Sequence, residues 1–421
     1  MNVLPASTPL RGAIVLGASQ AVTALLILAR NVTIANLISV GDFGIASTFA
    51  LAVTLVETGT NVALDRFAVQ DPRGGRRSFI AALHTAQALR GILGCVLLLT
   101  FGPAFSSIMG VPHLGWAYQF LAVIPLVRGF LHLDVFRAQR RMLYAPQAIS
   151  LVTANAAALV SAWPLAAWLG DFRVVLFAVL IQQVVLVAMS HALVRNRYRL
   201  CRDTGILRQS LRFGLPLMLS GIAMFMALQG DLFLVGTFLG MEVLGWFAVA
   251  FSLTLLPANI LASTAQSLML PRLSAMRTAT AEWNARVGAT LVGTALLATG
   301  MILVFLVLGP AAIHLLFDER YAHAAEILPY LAILQGIRLA KSGPAIVSIA
   351  SGETRDPLTA NAVRLLAIPF ATAWLAMGGG VHAVLSCAII GECAALVCAY
   401  TLLFRRGAIS IPRQIWMARH G

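Results

Sequence analysis

Residues 27–66 read ILARNVTIANLISVGDFGIASTFALAVTLVETGTNVALDR, and this stretch sets the expectations for the whole chain. It is apolar enough to lie in lipid, yet it contains Arg30, Glu57 and Asp65. A charged side chain at bilayer depth is costly, so it normally faces water or a partner group and marks a pathway. A short glycine-containing turn, residues 39–44, separates two apolar segments. We therefore expect two membrane helices, each with a polar side.

The same design returns in the second half of the chain, in residues 231–271. Aligning Gly44 with Gly245 gives an offset of 201 residues (245 − 44). That offset places Arg30 opposite Asp231. Two halves that each open with a charged first helix and a glycine turn are typical of a pseudo-symmetric transporter.

The composition indicates an integral membrane protein. The 421 residues are 59% hydrophobic and only 11% charged, whereas soluble domains are about 45–50% apolar and about 25% charged. The five cysteines form no CxxC pair and no cluster with histidine. The sequence therefore indicates neither a disulfide framework nor a metal site, and we expect no cofactor. The first apolar segment lacks a clear cleavage site and is interpreted as a retained span.

A membrane span needs about 20 apolar residues. On that criterion the fold class is all-α, with twelve transmembrane helices in two pseudo-symmetric six-helix bundles around a central cavity. The predicted bundles comprise residues 1–200 and 201–421. The predicted spans cover residues 11–36, 43–66, 79–104, 114–137, 145–168, 172–194, 210–238, 243–269, 287–309, 325–350, 358–378 and 381–404.

The arginines predict the orientation. Loops on one side of the predicted topology are rich in arginine, above all residues 66–77 and the connector 195–209, whereas the opposite loops supply only Arg173 and Arg320. The positive-inside rule then places both termini in the cytoplasm. The net charge of +14 is explained by this topology and by contact with anionic lipid, so no nucleic-acid partner is expected.

More basic than acidic residues fall within the predicted spans. Free cations at that depth would be expensive, so the surplus suggests an anionic partner. The basic residues are Arg30, Arg90, Arg128, Arg338, Lys341 and Arg364, and the acids are Glu57, Asp134, Asp231 and Glu392.

Each charge also has a structural interpretation. Arg30 is either a cavity ligand or one half of an interhelical bridge to Glu57 or Asp231. Glu57 and Glu392 are either carriers of a coupling proton or counter-ions, and Asp231 is a candidate for coupling or gating.

The remaining basic residues have alternatives of their own. Arg338 and Lys341 lie on one helix face and repel each other unless something negative intervenes. Arg364 is expected near a helix end, where its side chain can extend to the membrane surface.

Several short motifs occur in an order and spacing that resemble those of the polysaccharide-transporter family of the MOP flippase superfamily. Residues 29–44 follow the pattern AR-x(6)-L-x(4)-DFG, and residues 213–216 read FGLP. Residues 231–245 resemble the family's D-x-x-x-VG-x-x-LG-x-x-x-LG signature. Residues 271–274 match its P-x-x-S, and residues 350–353 its turn after the tenth helix.

The resemblance implies a flippase in the bacterial cytoplasmic (inner) membrane, and not an enzyme. Such a protein moves undecaprenyl-diphosphate-linked oligosaccharides from the cytoplasmic to the periplasmic leaflet for O-antigen or exopolysaccharide assembly. It works by alternating access with an arginine-lined cavity, beside a polymerase and a chain-length regulator. Mapped onto this chain, the substrate-binding residues are Arg30, Arg90 and Arg128, with Arg338 and Lys341 opposite.

Three rival interpretations remain at this point. A drug or metabolite exporter of the same superfamily would take cations and call for an acidic cavity. A membrane enzyme of polysaccharide assembly would need large external loops with catalytic side chains, and only the short segment 318–320 is available. A non-catalytic scaffold would leave the buried basic residues unexplained.

Overall fold

The computed structural model describes residues 9–194, 196–276 and 281–405, which contain helices and turns but no strand. The long helices alternate with short helical segments. The helices are α1 (Pro9–Leu37), α2 (Val40–Gly59), α3 (Leu64–Gln70), α4 (Arg77–Ile108), α5 (Gly115–Phe120), α6 (Val123–Arg128), α7 (Asp134–Arg137), α8 (Ala145–Leu169), α9 (Arg173–Ala192), α10 (Thr204–Phe238), α11 (Met241–Ser274), α12 (Ala281–Leu316), α13 (Ala322–Ala350), α14 (Arg355–Leu365), α15 (Ala367–Ala376) and α16 (Val381–Arg405).

The chain is a multi-pass membrane protein of the predicted all-α class. Within the described ranges, ten helical segments are long and apolar enough to cross a membrane, with α14 and α15 together forming one of them. Of the other two predicted spans, residues 325–350 lie in α13, a helix of 29 residues. At about 1.5 Å per residue, this helix is long enough to cross the hydrocarbon core.

The other predicted span, residues 114–137, is not one helix. It consists of α5, α6 and α7, joined by turns. Pro125 lies in the first turn of α6. Proline is tolerated there because backbone N–H groups of a first turn make no hydrogen bond within the helix, and in a helix interior it would break the helix. Pro125 therefore favours the start of a new helix. A further break follows α2, where Ala63 adopts the left-handed conformation with φ 51° before α3 begins.

The chain divides into two compact units, residues 1–249 and 250–421. The repeat boundary predicted at residue 200 concerns the symmetry of the fold and stays a prediction. In the first unit, α8 packs against α1 and α9, while α2 packs against α4 and α10. Tyr118 and Phe49 belong to an apolar cluster of this unit, with their rings edge to face at 5.0 Å.

Gly44 and Gly245, the two glycines that the repeat aligns, lie at one close approach between α2 and the start of α11. A Cβ on Gly44 would collide with the carbonyl oxygen of Met241, and a Cβ on Gly245 would collide with that of Val40. The contact is reciprocal, since each glycine admits the backbone of the other helix. This is why both turns carry glycine.

In the second unit, α13 packs between α12 and α16, and α16 also contacts α14 and α15. Trp283 and Leu403 belong to an apolar cluster of this unit, and both are buried. The span predicted over residues 358–378 is interrupted between α14 and α15. The interruption leaves Arg364 in the last turn of α14, inside the unit.

Candidate functional site

A polar cavity of about 160 Å³ opens inside the first unit, between α2, α3, α4 and the broken segment around α6. Two carboxylates and two guanidinium groups face it together with neutral polar groups. The charged and polar lining residues are Thr54, Glu57, Thr58, Asn61, Asp65, Gln87, Arg90 and Arg128. The cavity therefore brings together Arg90, Arg128 and Glu57, three of the residues that the sequence singled out.

Glu57 is the centre of this cavity. Nη1 of Arg128 lies 2.5 Å from Glu57 Oε2, and Nη2 of Arg90 donates to the backbone carbonyl of Glu57 at 2.9 Å. The other carboxylate oxygen of Glu57, Oε1, is buried and has no hydrogen-bond partner. Glu57 therefore accepts from two guanidinium groups, one at its carboxylate and one at its backbone carbonyl, and Oε1 is left without a donor.

Two Arg-Gly dipeptides bring the arginines together. A Cβ on Gly91 of α4 would lie 2.6 Å from the carbonyl oxygen of Pro125 and 2.7 Å from the Cα of Gly129. The backbones of α4 and α6 therefore meet at these glycines. Arg90 and Arg128, which precede them in sequence, lie side by side as a result. The Arg-Gly pair alone could not have predicted this geometry, because it also occurs at residues 11–12, 73–74 and 406–407.

Arg30 lies outside this cavity. Its Nη1 donates to Gln182 Oε1 of α9 at 2.9 Å, and its Nη2 donates to Asn31 Oδ1 at 3.3 Å. Gln182 in turn donates to Asn155 Oδ1 of α8 at 3.0 Å. The alternative of a bridge to Glu57 is wrong for this conformation, because Glu57 pairs with Arg128.

Asp231, the other predicted partner of Arg30, is buried in α10 with 2% of its surface exposed. It does not line the cavity around Glu57. Its coupling or gating role stays a prediction.

A second charged cluster lies inside the second unit, around Glu392 of α16. Arg338 Nε lies 2.7 Å from Glu392 Oε1, and Lys341 Nζ lies 2.6 Å from Oε2. Arg364 Nε is 3.3 Å from Oε1. Lys341 also donates to Asn361 Oδ1 at 3.1 Å. Three cations on one carboxylate give this cluster a formal charge of +2 (3 − 1).

The cluster is almost fully enclosed. The side chains of Glu392 and Arg364 are each 1% exposed, that of Arg338 is 8% exposed and that of Lys341 is 14% exposed. Charges at such depth are unfavourable unless they are paired, and Glu392 is a carboxylate that all three cations approach. The arrangement thus gathers two guanidinium groups and one ammonium group around a single buried acid.

The negative group expected between Arg338 and Lys341 is the chain's own Glu392. Their role as substrate ligands stays a prediction. The expectation that Arg364 extends to the membrane surface is wrong for this conformation, because its side chain is buried and points to Glu392. Hydropathy locates a span but does not show which way a side chain near its end points.

The family follows from the sequence itself. Residues 33–326 match the family model for polysaccharide biosynthesis proteins. The chain belongs to the polysaccharide biosynthesis protein family. A comparison with curated protein sequences finds no match.

Solved structures share the fold of this polysaccharide biosynthesis protein. An inward-facing multidrug-resistance MATE transporter of the MOP superfamily aligns with a TM-score of 0.74 at 18% identity, over 94% of this chain and 98% of its own. The lipid II flippase MurJ, in an inward closed conformation, aligns at 0.76 and 13% identity, over 96% and 88%. A MOP transporter from Pyrococcus furiosus aligns at 0.63 and 17% identity, over 95% and 96%. The fold is therefore that of MOP transporters.

Proposed function

We propose that this polysaccharide biosynthesis protein is a flippase for polyprenyl-diphosphate-linked oligosaccharides. In this proposal it works in the bacterial cytoplasmic membrane, with both termini in the cytoplasm, and moves undecaprenyl-diphosphate-linked repeat units to the periplasmic leaflet by alternating access. O-antigen or exopolysaccharide assembly would then use the product. The observation that carries the proposal is the enclosed +2 cluster of Arg338, Lys341 and Arg364 on Glu392.

A buried cluster of three cationic side chains is suited to an anion. A diphosphate offers several oxygens, and guanidinium groups donate to phosphate oxygens in pairs. A diphosphate that enters the site competes with the Glu392 carboxylate for Arg338 and Lys341. The two cations then exchange one negative partner for another and are never left without one. Release reverses the exchange, since Glu392 then takes the cations back.

The cavity in the first unit supplies the same chemistry in weaker form. Arg90 and Arg128 share Glu57 there, and Asp65 lines the same cavity. The two arginines and the two carboxylates of this cavity have no net formal charge. An anion would therefore bind most favourably when Glu57 is protonated or displaced from Arg128. We propose that anion binding in this cavity is coupled to the protonation or displacement of Glu57. We also propose that Arg30, which donates to amide oxygens of Gln182 and Asn31, joins the substrate site in another state of the transport cycle.

The proposal is tested in the organism that carries the gene. Deletion is expected to stop polymer production and to leave undecaprenyl-linked repeat units in the cytoplasmic leaflet. Complementation with Arg338→Gln/Lys341→Gln is expected to fail while the protein still reaches the membrane. The matched control is Arg286→Gln, an exposed arginine of α12, which should restore polymer fully.

The rival functions give different results in the same strain. A cation exporter would leave polymer intact and make the deleted strain sensitive to cationic drugs. A polymerase would leave single repeat units in the periplasmic leaflet. Full restoration of polymer by Arg338→Gln/Lys341→Gln would refute the assignment of the site.

A further inference from the structure

A second pocket, of about 300 Å³, lies in the first unit at the start of α4, against the connector that follows α9. It shares no residue with the cavity around Glu57. Four of its lining residues, at positions 77, 80, 81 and 84, follow the helical spacing of the first two turns of α4. The full lining is Arg77, Ile80, Ala81, His84, His132, Asp134, Arg137, Asn196, Arg197 and Arg199.

The wall of the pocket is held in place by His84. Its Nε2 accepts from the backbone N–H of Leu133 at 3.1 Å, so the proton of the neutral ring is on Nδ1, which donates to the carbonyl oxygen of Arg199 at 3.2 Å. The ring of Tyr198 stacks on that of His84, with centroids 4.3 Å apart. Burial raises the pKa of Tyr198 to about 12, so the phenol adds no negative charge. The connector is thus fixed on α4.

The only acid among the lining residues is already paired. Asp134 lies 3.3 Å from Nε of Arg137 through Oδ1, and its Oδ2 accepts from Nδ2 of Asn196 at 2.5 Å. Arg77, Arg197 and Arg199 are exposed at the rim, and no carboxylate in the described part of the chain lies within 4.0 Å of them. Four arginines against one aspartate give the lining a formal charge of +3 (4 − 1).

The position of the pocket places it at the membrane surface. Arg77 is the first residue of α4, a span of 32 residues. The N-terminal end of a helix carries the positive end of its dipole, and no side chain caps this one. The connector belongs to the loops that the sequence predicts on the arginine-rich side. We therefore expect the positive pocket at the level of lipid headgroups, since α4 is longer than the hydrocarbon core requires.

We propose that this pocket is a separate anion site, which binds the phosphate group of a membrane-surface anion. Its volume is at the lower end of ligand pockets, enough for one headgroup. Rim arginines bind phosphate oxygens in pairs, while the neutral histidine wall leaves their charge uncompensated. The inference does not depend on transport or on the cluster around Glu392. The chemistry fits both an anionic phospholipid headgroup and free inorganic phosphate.

The test measures anion binding to the purified full chain in neutral detergent. Dioctanoyl phosphatidylglycerol and sodium phosphate are titrated separately at constant ionic strength, and bound anion is counted by native mass spectrometry. We expect saturable binding of the wild type. Arg197→Gln/Arg199→Gln should bind about thirtyfold more weakly, because each interfacial arginine contributes about fivefold to the binding of an anionic headgroup. Arg141→Gln, an exposed arginine outside the pocket, is the control and should bind as the wild type.

The outcomes distinguish a lipid site from a phosphate site and from the absence of a site. Binding of phosphatidylglycerol alone identifies a lipid site, and equal binding of both probes identifies a phosphate site. Titration in the Arg338→Gln/Lys341→Gln background separates this pocket from the proposed substrate site, since binding here should persist there. Arg77→Gln serves as a second variant if the double variant does not fold. The proposal is overturned if the wild type binds neither probe, or if the pocket variants and Arg141→Gln lose binding equally.

Discussion

At the scale of single residues, Glu392 is the counter-ion on which the second unit depends. Replacement by Gln removes the carboxylate that Arg338, Arg364 and Lys341 share. Removing one partner from a buried ion pair typically costs about 3–5 kcal/mol. We therefore expect Glu392→Gln to lower the unfolding temperature of the detergent-purified protein strongly.

The control for this prediction is Glu326→Gln, since the Glu326 side chain is 68% exposed and pairs with His323. Exposed pairs contribute about 0–1 kcal/mol. Lys341→Met removes one of three cations at similar volume, so it should leave the unfolding temperature unchanged or raise it. A loss of stability in Lys341→Met as large as that in Glu392→Gln would contradict the surplus of positive charge.

The pair between Arg128 and Glu57 supports a second prediction at this scale. Arg128→Ala leaves the Glu57 carboxylate with neither oxygen paired to a side chain, because Oε1 already lacks a partner. An unsatisfied buried acceptor costs about 1–3 kcal/mol, less where water reaches it. We expect the double variant Glu57→Gln/Arg128→Ala to be more stable than Arg128→Ala alone. Urea unfolding of the four proteins of this cycle measures the coupling, and additive losses would show that the pair contributes nothing.

These pairings could not be predicted from the sequence, although the residues could. Hydropathy and charge singled out Arg128, Glu57 and Glu392. However, the pairing of Glu57 with Arg128 joins residues 71 positions apart, and Arg338 meets Glu392 across 54 positions. Such partners depend on how helices pack, which a single sequence does not specify.

At the scale of helices, most spans were predictable because a lipid-crossing helix must be long and apolar. The interruptions were not. Residues 114–137 are apolar enough to be predicted as one span, and Pro125 is the residue in it that favours the start of a new helix. The interruptions matter for the site, since the end of α6 carries Arg128 and the end of α14 carries Arg364.

The reciprocal contact of Gly44 and Gly245 gives a prediction for helix packing. Ala at either position places a methyl group on the backbone of the other helix, at the carbonyl oxygen of Met241 or of Val40. Forced overpacking typically costs about 1–3 kcal/mol. We therefore expect Gly44→Ala and Gly245→Ala each to lower the unfolding temperature of the purified protein.

Gly41, in the first turn of α2, is the matched control. A Cβ there meets nothing within 4 Å, and alanine favours a helix over glycine by about 0.5–1 kcal/mol. Gly41→Ala should therefore be neutral or slightly stabilising. If all three alanine variants unfold alike, the close approach of α2 and α11 does not contribute to stability.

At the scale of the whole molecule, the proposed transport of an anion has a direction that the membrane potential sets. Moving one charge across 100 mV changes its free energy by about 2.3 kcal/mol. For a doubly charged headgroup the change is about 4.6 kcal/mol, which corresponds to an equilibrium ratio of roughly two thousand between the leaflets. A flippase without ion coupling brings the lipid to this ratio whichever way the protein is inserted, because a passive carrier changes rates and not equilibria.

Proteoliposomes that contain undecaprenyl diphosphate test this expectation. A potassium gradient with valinomycin sets the potential, and added phosphatase measures the diphosphate exposed outside. An inside-negative potential should increase the exposed fraction, and reversing its sign should decrease it. Vesicles with Arg338→Gln/Lys341→Gln should approach the same ratio far more slowly, because those cations bind the headgroup in our proposal. A distribution that ignores the sign of the potential and follows a proton or sodium gradient would instead show that the ion drives export, and would give Glu57 or Glu392 the role of carrying it.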